Sequence, residues 1–374
     1  MKYFLIAGEA SGDLHASHLM QALSAKDKEA YFVGLGGDKM RAAGCDIRVD
    51  YRDMAYMGVV AVLLNMHKIR QNFRIARQAL LSERPDVLIL IDYPSFNLRI
   101  AQFCRKNLPT TRIVYYIPPK VWAWKAWRVH RIARYTDEVL GIFPFEPAFY
   151  AHYGYRCQYV GNPTADCIRE WRTTHPGHRI TAGDNIIALL PGSRPSEIRH
   201  CLPTMLEAAR RVAGTNYHIV VAAAPGIDDA FYAPYLHNEM LTHDAYALVA
   251  TARAAVVNSG TATLETALLG CPQTAVYYIA CSRWLEWLIR PILFRTRFFT
   301  LVNIILQKLV IQELIASRFT IENVEQELHR LLADESYRVT MMANYEQIST
   351  LLGNRYSYMA AAESIASYQE NREK

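Results

Sequence analysis

Residues 186–190 (IIALL) form a continuous apolar run that ends at a Pro-Gly pair, and a helical pattern begins a few residues later. A short run of this kind predicts a strand that is buried on both faces, as in a parallel sheet covered by helices. The stretch therefore favours an α/β domain. We expect Ser196 to cap the following helix and Pro203 to lie in the first turn of its longer part, residues 205–212.

The turn after this strand carries the groups of an anion-binding site. Gly192 lets the backbone approach a ligand, Ser193 supplies a hydroxyl, and Arg194 supplies five fixed donors that match phosphate oxygens. Free N–H groups and the dipole at a helix start both favour negative charge. An ordinary turn with a surface arginine accounts for the same residues equally well.

The same alternation of strand and helix runs through the rest of the chain. In the first half we predict strands at residues 2–7, 31–33, 87–91, 112–117 and 139–143. In the second half we predict further strands at residues 218–224 and 254–257. Residues 167–185 turn polar, which predicts a linker between two doubly wound α/β domains.

The composition is that of a folded protein with a mild positive charge. Of 374 residues, 51% are apolar and 20% are charged, which excludes a disordered chain. The 41 Lys and Arg against 35 Asp and Glu leave a net charge of +6, well short of a nucleic-acid-binding signature. Seven scattered Cys without a C-x-x-C pair predict reduced thiols in a cytoplasm. Neither a signal peptide nor a membrane-spanning run of about eighteen residues is apparent.

A second candidate site follows the most apolar strand of the first half. Asp92 comes directly after residues 87–91 (VLILI), at the end of a strand, where open parallel sheets bind their ligands. A carboxylate at that position, between aromatic residues, could act as a general base. Capping of the next helix by Asp92 is an equally good explanation.

A second phosphate-type turn follows another apolar strand. Ser259, Gly260 and Thr261 lie at a helix start, where hydroxyl and N–H groups suit a diphosphate. Glu265, about one turn into the helix, could reach ribose hydroxyls. Ordinary capping by Ser259 or Thr261 is the alternative, although a capping box would need Ser or Thr where Ala262 stands.

Two segments combine aromatic and basic side chains. Residues 118–134 carry three Trp among five Lys and Arg, and residues 282–303 carry two Trp and three Phe among four Arg. Such segments are typical of a protein that lies on a membrane surface. A basic solvated helix face explains Arg131 and Arg134 better, and core packing or a dimer interface explains the second segment equally well.

Signals for metal binding and for nucleophilic catalysis are weak. His15 and His18 share one helix face, but no third ligand accompanies them, so we predict no metal site. The chain contains no D-x-D, no P-loop and no G-x-S-x-G. It also lacks G-x-G-x-x-G, which argues against an NAD-dependent dehydrogenase.

Taken together, these motifs resemble those of the lipid A disaccharide synthase family, which is glycosyltransferase family 19. The resemblance runs nearly end to end. It rests on AGEASGD (residues 7–13), PDVxxxID (85–92) followed by FN, VWAW (121–124), PFE (144–146), LLPGSR (189–194) and SGTATLE (259–265).

The resemblance implies a glycosyltransferase of the GT-B type, with two Rossmann-like domains facing a cleft. Residues 1–166 would form the acceptor-side domain, residues 186–345 the UDP-sugar domain, and residues 346–374 a helix that packs back on the first domain. The family joins UDP-2,3-diacylglucosamine to 2,3-diacylglucosamine 1-phosphate, which gives a β-1,6-linked disaccharide 1-phosphate and UDP. This reaction inverts the donor's α linkage. It belongs to lipid A, and so to lipopolysaccharide, biosynthesis in Gram-negative bacteria.

The family pattern also implies roles for single residues. Asp92 matches the catalytic carboxylate, and its simplest role is to take the proton of the acceptor's 6-hydroxyl. Arg194 would neutralise charge on the diphosphate, and Asn303 matches an Asn needed for activity. The residues that bind the UDP of the donor would be Gly192, Ser193, Ser259, Gly260, Thr261 and Glu265. No metal ion and no other cofactor is expected, because Arg and helix dipoles stand where GT-A enzymes use a D-x-D metal.

Two places depart from the family pattern. Residues 240–246 are a short segment where the family recognises uracil, and Asn162 stands where relatives carry His. The resemblance further implies a peripheral protein on the cytoplasmic face of the inner membrane, without a nucleic-acid partner, and it leaves room for a homodimer.

Two other functions fit the same predicted fold. A UDP-sugar 2-epimerase would need no acceptor, but the lipid-directed aromatic segments and the Asp92 motif argue against it. A non-catalytic UDP-binding protein that docks on membranes would bind UDP without turnover and would be indifferent to Asp92→Asn.

Overall fold

The computed structural model describes residues 1–54, 66–123, 126–177, 185–279 and 297–370. The chain divides into two compact units. The first comprises Met1–Pro163 together with Asn354–Lys374, and the second comprises Thr164–Gly353. Each unit contains one parallel sheet with helices between its strands, as the alternating pattern of the sequence predicts.

In its described residues, the first unit contains seven strands and six α-helices before the chain leaves it. The strands are β1 (Lys2–Ala7), β2 (Tyr31–Gly36), β3 (Asp46–Asp50), β4 (Val87–Ile91), β5 (Arg112–Tyr116), β6 (Glu138–Gly141) and β7 (Gln158–Tyr159). The helices are α1 (Ala10–Lys26), α2 (Asp38–Ala42), α3 (Met66–Glu83), α4 (Pro94–Asn107), α5 (Arg128–Tyr135) and α6 (Glu146–His152). The sheet has the order β3-β2-β1-β4-β5-β6-β7, so its topology reverses between β1 and β4.

Two apolar layers cover this sheet, one on each face. In β4, Leu88 and Leu90 enter the layer beneath α3, α4 and α5, whereas Val87 and Ile89 enter the layer beneath α1. A strand that is buried on both faces has no room for polar side chains. This explains why its sequence is continuously apolar instead of alternating.

The second unit has the strand order of a doubly wound nucleotide-binding sheet. Its described strands are β8 (Ile186–Leu190), β9 (His218–Ala222), β10 (Met240–Thr242), β11 (Ala254–Asn258), β12 (Gln273–Tyr277) and β13 (Glu313–Ile315). Its described helices are α7 (Pro163–Thr174), α8 (Pro195–Ala213), α9 (Ala245–Thr251), α10 (Thr261–Leu269), α11 (Leu301–Leu306), α12 (Ile321–Ala333) and α13 (Glu335–Leu352). The order β10-β9-β8-β11-β12-β13 puts the reversal between β8 and β11.

The last helix, α14 (Ser357–Glu370), belongs to the first unit and packs against α1. Ala360, Ala361, Ala362 and Ile365 are buried in the same apolar layer as β1. The hydroxyl oxygens of Ser357 and of the buried Tyr116, which belongs to β5, lie 3.1 Å apart and form a hydrogen bond. The predicted return of the C-terminal helix to the first unit is therefore present.

The unit boundaries differ from the predicted ones. The polar stretch predicted as a linker, residues 167–185, begins inside α7, which is helical to Thr174; residues 178–184 lie outside the described residues. The predicted boundary at residue 345 falls inside α13, and the chain returns to the first unit only at Asn354. The polar composition of residues 167–174 reflects the exposed side chains of α7 and not a linker.

The start of α8 also differs from the prediction. Pro195 occupies the first turn, Arg194 is the N-cap residue, and Pro203 lies inside a continuous helix. Ser196 is therefore not the cap. The helix continues through Pro203 because residues on both sides of it, such as Ile198 and Met205, are fully buried.

Candidate active site

Asp92 directly follows β4, next to the point where the topology of the first sheet reverses. Its main-chain N–H donates to the carbonyl of Ile117 at 3.1 Å. Its carbonyl accepts the Tyr115 hydroxyl at 2.7 Å and Nδ2 of Asn97 at 2.7 Å. Ligands of open parallel sheets bind at this place. The main chain of Asp92 is thus held by both neighbouring segments.

The backbone around Asp92 is strained. Asp92, Tyr93 and Ile117 all have positive φ angles, +44°, +45° and +58°, which L-residues rarely adopt. The Tyr93 hydroxyl donates to the carbonyl of Met54 at 2.6 Å, which secures this conformation. Strained residues of this kind cluster at functional sites.

The Asp92 carboxyl is accessible to solvent and chemically suited to take a proton. The surrounding protein partly desolvates it, and this raises its pKa. The charge of Lys120 and the N–H of Tyr93 act in the opposite direction and favour the ionised form. A carboxylate with a raised pKa that stays accessible has the properties of a general base.

A buried carboxylate, Glu146, begins α6, directly after the turn that follows β6. Its Oε2 accepts the main-chain N–H groups of Ile142 and Phe143 at 2.7 and 2.9 Å, and its Oε1 accepts Nε1 of Trp122 at 3.2 Å. Burial raises its pKa to about 7, although the three N–H donors favour the charged form. The buried Asn162 braces the same turn, because its Nδ2 donates to the carbonyl of Ile142 at 2.9 Å.

In the second unit, Gly192 and Arg194 lie between β8 and α8. Gly192 has φ +120°, and a Cβ there would lie 2.7 Å from Nδ2 of Asn258 and 2.6 Å from Oε2 of Glu197. Only glycine therefore fits this turn. The Arg194 side chain is 56% exposed, and one guanidinium nitrogen lies 3.4 Å from Oε1 of Glu197.

One N–H group of this turn is occupied. The main-chain N–H of Ser193 donates to Oε2 of Glu197 at 2.9 Å. The expectation that the N–H groups of the turn are free is therefore wrong for Ser193, because a carboxylate of the first helical turn caps it. An anionic ligand that bound here would compete with the Glu197 carboxylate for the main-chain N–H of Ser193.

The second predicted phosphate turn, with Ser259, Gly260 and Thr261, lies next to the first. It follows β11, which pairs with β8, so both turns lie at the carboxyl edge of adjacent strands. Gly260 is the N-cap residue of α10, and its backbone is open to solvent. The structure thus brings the two turns together at the reversal point of the second sheet.

Glu265 lies in α10 and is held by a residue of another helix. The hydroxyl of Tyr246, in α9, donates to its Oε1 at 3.1 Å. Burial raises the pKa of Glu265, and this hydrogen bond lowers it. The Tyr246 ring also packs edge-on against Trp171, with centroids 5.9 Å apart.

Asn303 is fully buried in the second unit. Its Nδ2 donates to the carbonyl of Ile311 and to Oε1 of Glu313, at 2.9 and 2.8 Å. Its Oδ1 accepts the N–H groups of Val310 and Ile311, at 2.8 and 3.0 Å. Both donors and both acceptors of the amide are therefore used within the protein.

Sequence reasoning missed several residues of these sites. Glu146, Glu197 and Tyr246 were not assigned roles, although PFE was recognised as a motif. Lys120 and Trp122 were predicted to belong to a membrane-facing segment, whereas the indole N–H of Trp122 donates to Glu146. Glu197 is four residues from Ser193, so local spacing could have indicated it. Trp124, Lys125 and most of residues 282–303, where membrane contacts were predicted, lie outside the described residues.

His15 and His18 lie together on α1 and are not placed to bind a metal ion. Burial lowers the pKa of His15 to about 4, with a further contribution from His18, whose ring packs against Tyr358. Within the described ranges, no three His, Cys, Asp or Glu residues are grouped so that they could hold a metal ion. Over the same ranges, no helix has the length and apolarity needed to span a membrane.

Comparisons with known sequences identify the family. Residues 3–366 match the family described as lipid-A-disaccharide synthetase. The chain is 36% identical to the lipid-A-disaccharide synthase of Trichlorobacter lovleyi, over 94% of this chain and 93% of that protein. It is 34% identical to that of Myxococcus xanthus, over 97% and 96% of the two chains.

Solved structures agree on the fold. A UDP-GlcNAc 2-epimerase of Methanocaldococcus jannaschii, in complex with UDP-GlcNAc and UDP, has a TM-score of 0.62 at 11% identity and covers 98% of this chain and 100% of its own. The calicheamicin glycosyltransferase CalG4 has a TM-score of 0.59 at 15% identity, over 98% and 97%. The predicted two-domain α/β fold of the GT-B type is confirmed. The chain therefore belongs to the lipid-A-disaccharide synthetase family of glycosyltransferases.

Proposed function

We propose that the chain transfers 2,3-diacylglucosamine from its UDP conjugate to 2,3-diacylglucosamine 1-phosphate, which forms the β-1,6-linked disaccharide 1-phosphate and UDP. The observation that carries this proposal is Asp92. It is a solvent-accessible carboxylate with a raised pKa, at the reversal point of the first sheet. An acceptor hydroxyl needs such a base when it attacks a sugar.

The first unit supplies the base. Asp92 takes the proton of the acceptor's 6-hydroxyl as that oxygen bonds to the anomeric carbon of the donor and the bond to UDP breaks. Attack on the face opposite the leaving group inverts the anomeric configuration. The fixed backbone of Asp92 supports this role, because a base must be held close to the proton that it removes.

The second unit holds the leaving group. Arg194, together with the turn residues Ser193, Ser259, Gly260 and Thr261, binds the diphosphate and stabilises its charge as the donor bond breaks. Gly192 gives the ligand access to the backbone of this turn. Glu265 accepts hydrogen bonds from the ribose hydroxyls and is held for that role by Tyr246. A guanidinium and two helix starts supply positive charge, so the reaction needs no metal ion.

Asn303 serves this reaction as a positioning residue. Every donor and acceptor of its amide is used inside the protein, so it has none to offer a substrate. It joins α11 to the segment that leads into β13. Loss of activity on substitution of Asn303 would follow from disorder of that segment.

We further propose that the protein works at the cytoplasmic face of the inner membrane, because both substrates carry acyl chains. An exposed tryptophan and the arginine next to it in the first unit support this. Trp127 is 55% exposed, and the Arg128 guanidinium lies over its ring at 5.8 Å from the centroid. The protein should sediment with anionic liposomes, and salt should release it. Binding that salt does not affect would point to aromatic burial instead.

The reaction is tested by UDP release from UDP-2,3-diacylglucosamine with EDTA present. Release that occurs only with the 1-phosphate acceptor, together with a disaccharide phosphate product, supports the transferase and its independence of metal. Release that stops with EDTA contradicts metal independence. No release with acceptor, although UDP binds, would favour the non-catalytic alternative, and conversion of the donor sugar without acceptor would favour the epimerase.

A further inference from the structure

The loop after β5 carries Lys120 and is anchored at both of its ends. At its start, the carbonyl of Ile117 accepts the main-chain N–H of Asp92 at 3.1 Å. Near its far end, the indole Nε1 of Trp122 donates to Oε1 of Glu146 at 3.2 Å. The location of Lys120 therefore depends on one contact with the candidate base and one with a buried carboxylate.

The Glu146 carboxylate is a hydrogen-bond acceptor that is held in one orientation. Its side chain is fully buried, and three N–H donors converge on its two oxygens. Charge-assisted hydrogen bonds of this kind fix the orientation of a carboxylate. The Glu146 carboxyl occupies the space that a side chain at position 141 would need, because a Cβ at Gly141 would lie 2.8 Å from its Oε2.

Aromatic packing holds the other partner of this contact. The Trp122 ring meets Phe143 and Phe145 edge-on, with centroids 5.7 and 5.0 Å apart. The two Phe rings stack on each other at 5.6 Å. Edge-to-face pairs add a preferred geometry to apolar burial. The two ring contacts of Trp122 thus orient its indole N–H toward Glu146.

Lys120 lies within electrostatic reach of both Asp92 and Glu146. Burial lowers the pKa of the Lys120 ammonium, and attraction to the two carboxylates raises it. In return, the charge of Lys120 lowers the pKa of Asp92, which burial raises. A nearby cation favours the ionised form of a carboxylate that is partly desolvated.

The tyrosine and cysteine side chains of the first unit around this cluster are neutral near pH 7, whereas Arg128 is charged. Burial raises the pKa of Tyr115, which faces Asp92, and of Tyr150 and Cys157, which face Glu146. Arg128 acts on Tyr115. Among the described residues, Lys120 is thus the cation whose charge bears on Asp92.

We propose that Glu146 is a positioning residue that fixes Trp122 and thereby holds in place the loop that carries Lys120, the cation within electrostatic reach of the Asp92 carboxylate. This proposal rests on the proposed function in one respect, namely that Asp92 is the base of the reaction. Glu146 acts through two other residues and does not itself contact the substrate.

The direct test is titration of the Asp92 carboxyl by carbon-13 NMR in the full chain, with the Asp92→Asn variant used to identify its signal. In Lys120→Met we expect Asp92 to titrate about one pH unit higher, because a nearby opposite charge is lost. Lys106→Met removes an exposed lysine at the end of α4 and is the matched control. It should leave the titration of Asp92 unchanged.

The role of the Glu146–Trp122 contact is tested with Trp122→Phe, which keeps an aromatic ring and removes the N–H donor. We expect Asp92 to titrate higher than in the natural chain, by less than in Lys120→Met. The double variant should titrate like Lys120→Met alone, because both changes act through the same ammonium. Lys120→Arg should restore most of the natural behaviour.

Kinetics supply a second readout. The acidic limb of the pH profile of kcat/KM should move upward with the Asp92 titration in Lys120→Met and Trp122→Phe. An unchanged Asp92 titration in Lys120→Met, or additive effects in the double variant, overturns the proposal. The NMR titration requires no turnover. A natural chain that releases no UDP from the stated substrates therefore refutes the proposed reaction, while the titration still decides the positioning role.

Discussion

The Tyr93 ring occupies the space that a side chain at position 8 would need. A Cβ added to Gly8 would lie 2.4 Å from Cγ and 2.5 Å from Cδ1 of Tyr93. Cβ atoms do not approach other atoms this closely. Cγ, where the ring of Tyr93 joins its side chain, has little freedom to move away. Gly8 in the turn after β1 therefore sets the position of the residue next to Asp92.

Gly8→Ala should lower turnover by about a hundredfold, because a displacement of roughly 1 Å at the base misplaces the proton acceptor. Its free energy of unfolding should fall by about 1–3 kcal/mol through overpacking. Gly12→Ala is the matched control, since a Cβ there would lie 3.4 Å from the Cβ of Ala7, an ordinary contact. Equal activities of the two variants would show that Tyr93 does not position Asp92.

Asp92→Asn should lower kcat by about a hundredfold or more and leave UDP binding unchanged, because the amide cannot take a proton. The main-chain contacts of Asp92 with Ile117 and Tyr115 do not involve the carboxyl and remain. Rates are measured by UDP release and binding by calorimetry. Asp53→Asn, on an exposed carboxylate, is the control, and full activity of Asp92→Asn would exclude Asp92 as the base.

Arg194→Ala should lower turnover by about a hundredfold or more, the scale of losing one group that stabilises developing charge. Arg194 is 56% exposed, so the folded unit should tolerate the change. Arg211→Ala removes another exposed arginine of α8, paired with Glu207, and should be nearly neutral. Near-normal turnover in Arg194→Ala would remove this residue from the mechanism.

Glu197→Gln should strengthen UDP binding, by up to about fivefold. The Gln oxygen can still accept the N–H of Ser193, but the negative charge next to Arg194 is gone. Calorimetric titration with UDP measures the effect, with Glu207→Gln, farther along α8, as control. Weaker binding would mean that Glu197 orders the turn more than it competes with the diphosphate.

Glu146 should make the stability of the first unit depend on pH. Its pKa rises from 4.5 to about 7 on folding, so between these values the folded state holds a proton that the unfolded state has released. The free energy of unfolding should therefore fall as the pH rises from 5 to 8, by at most about 3 kcal/mol. Urea denaturation of Glu146→Gln should lack this dependence; if the natural chain and the variant show the same dependence, other groups cause it.

The predictions of secondary structure were best where apolar runs are unbroken. β4 and β8 have the predicted bounds, because strands buried on both faces carry no polar residue and end at turn residues. β3 was not predicted, since its sequence DIRVD carries three charges at the edge of the sheet. β13 has three residues, too few for a periodic pattern.

The candidate sites could be predicted as far as they follow from a strand and the turn after it. Asp92, Gly192 and the turn at residues 259–261 were found in this way. Contacts between distant segments, such as Trp122 with Glu146, leave no local pattern, because a residue's partner across 24 positions is decided by the fold. The side chain of Asn303 bonds to residues only 7 to 10 positions further along the chain, but no periodic pattern in that short stretch indicates that this side chain is buried.

The packing of α14 on α1 has a consequence for how the chain folds while it is being translated. The first unit lacks part of its apolar layer until Ala360–Ala362 and Ile365 have been added, and these residues are translated after the whole second unit. Domains generally fold as units during synthesis, the N-terminal one first. Here part of one apolar face of the N-terminal unit stays uncovered until α14 has been synthesised, so a helix made after the second unit completes the unit that was begun first.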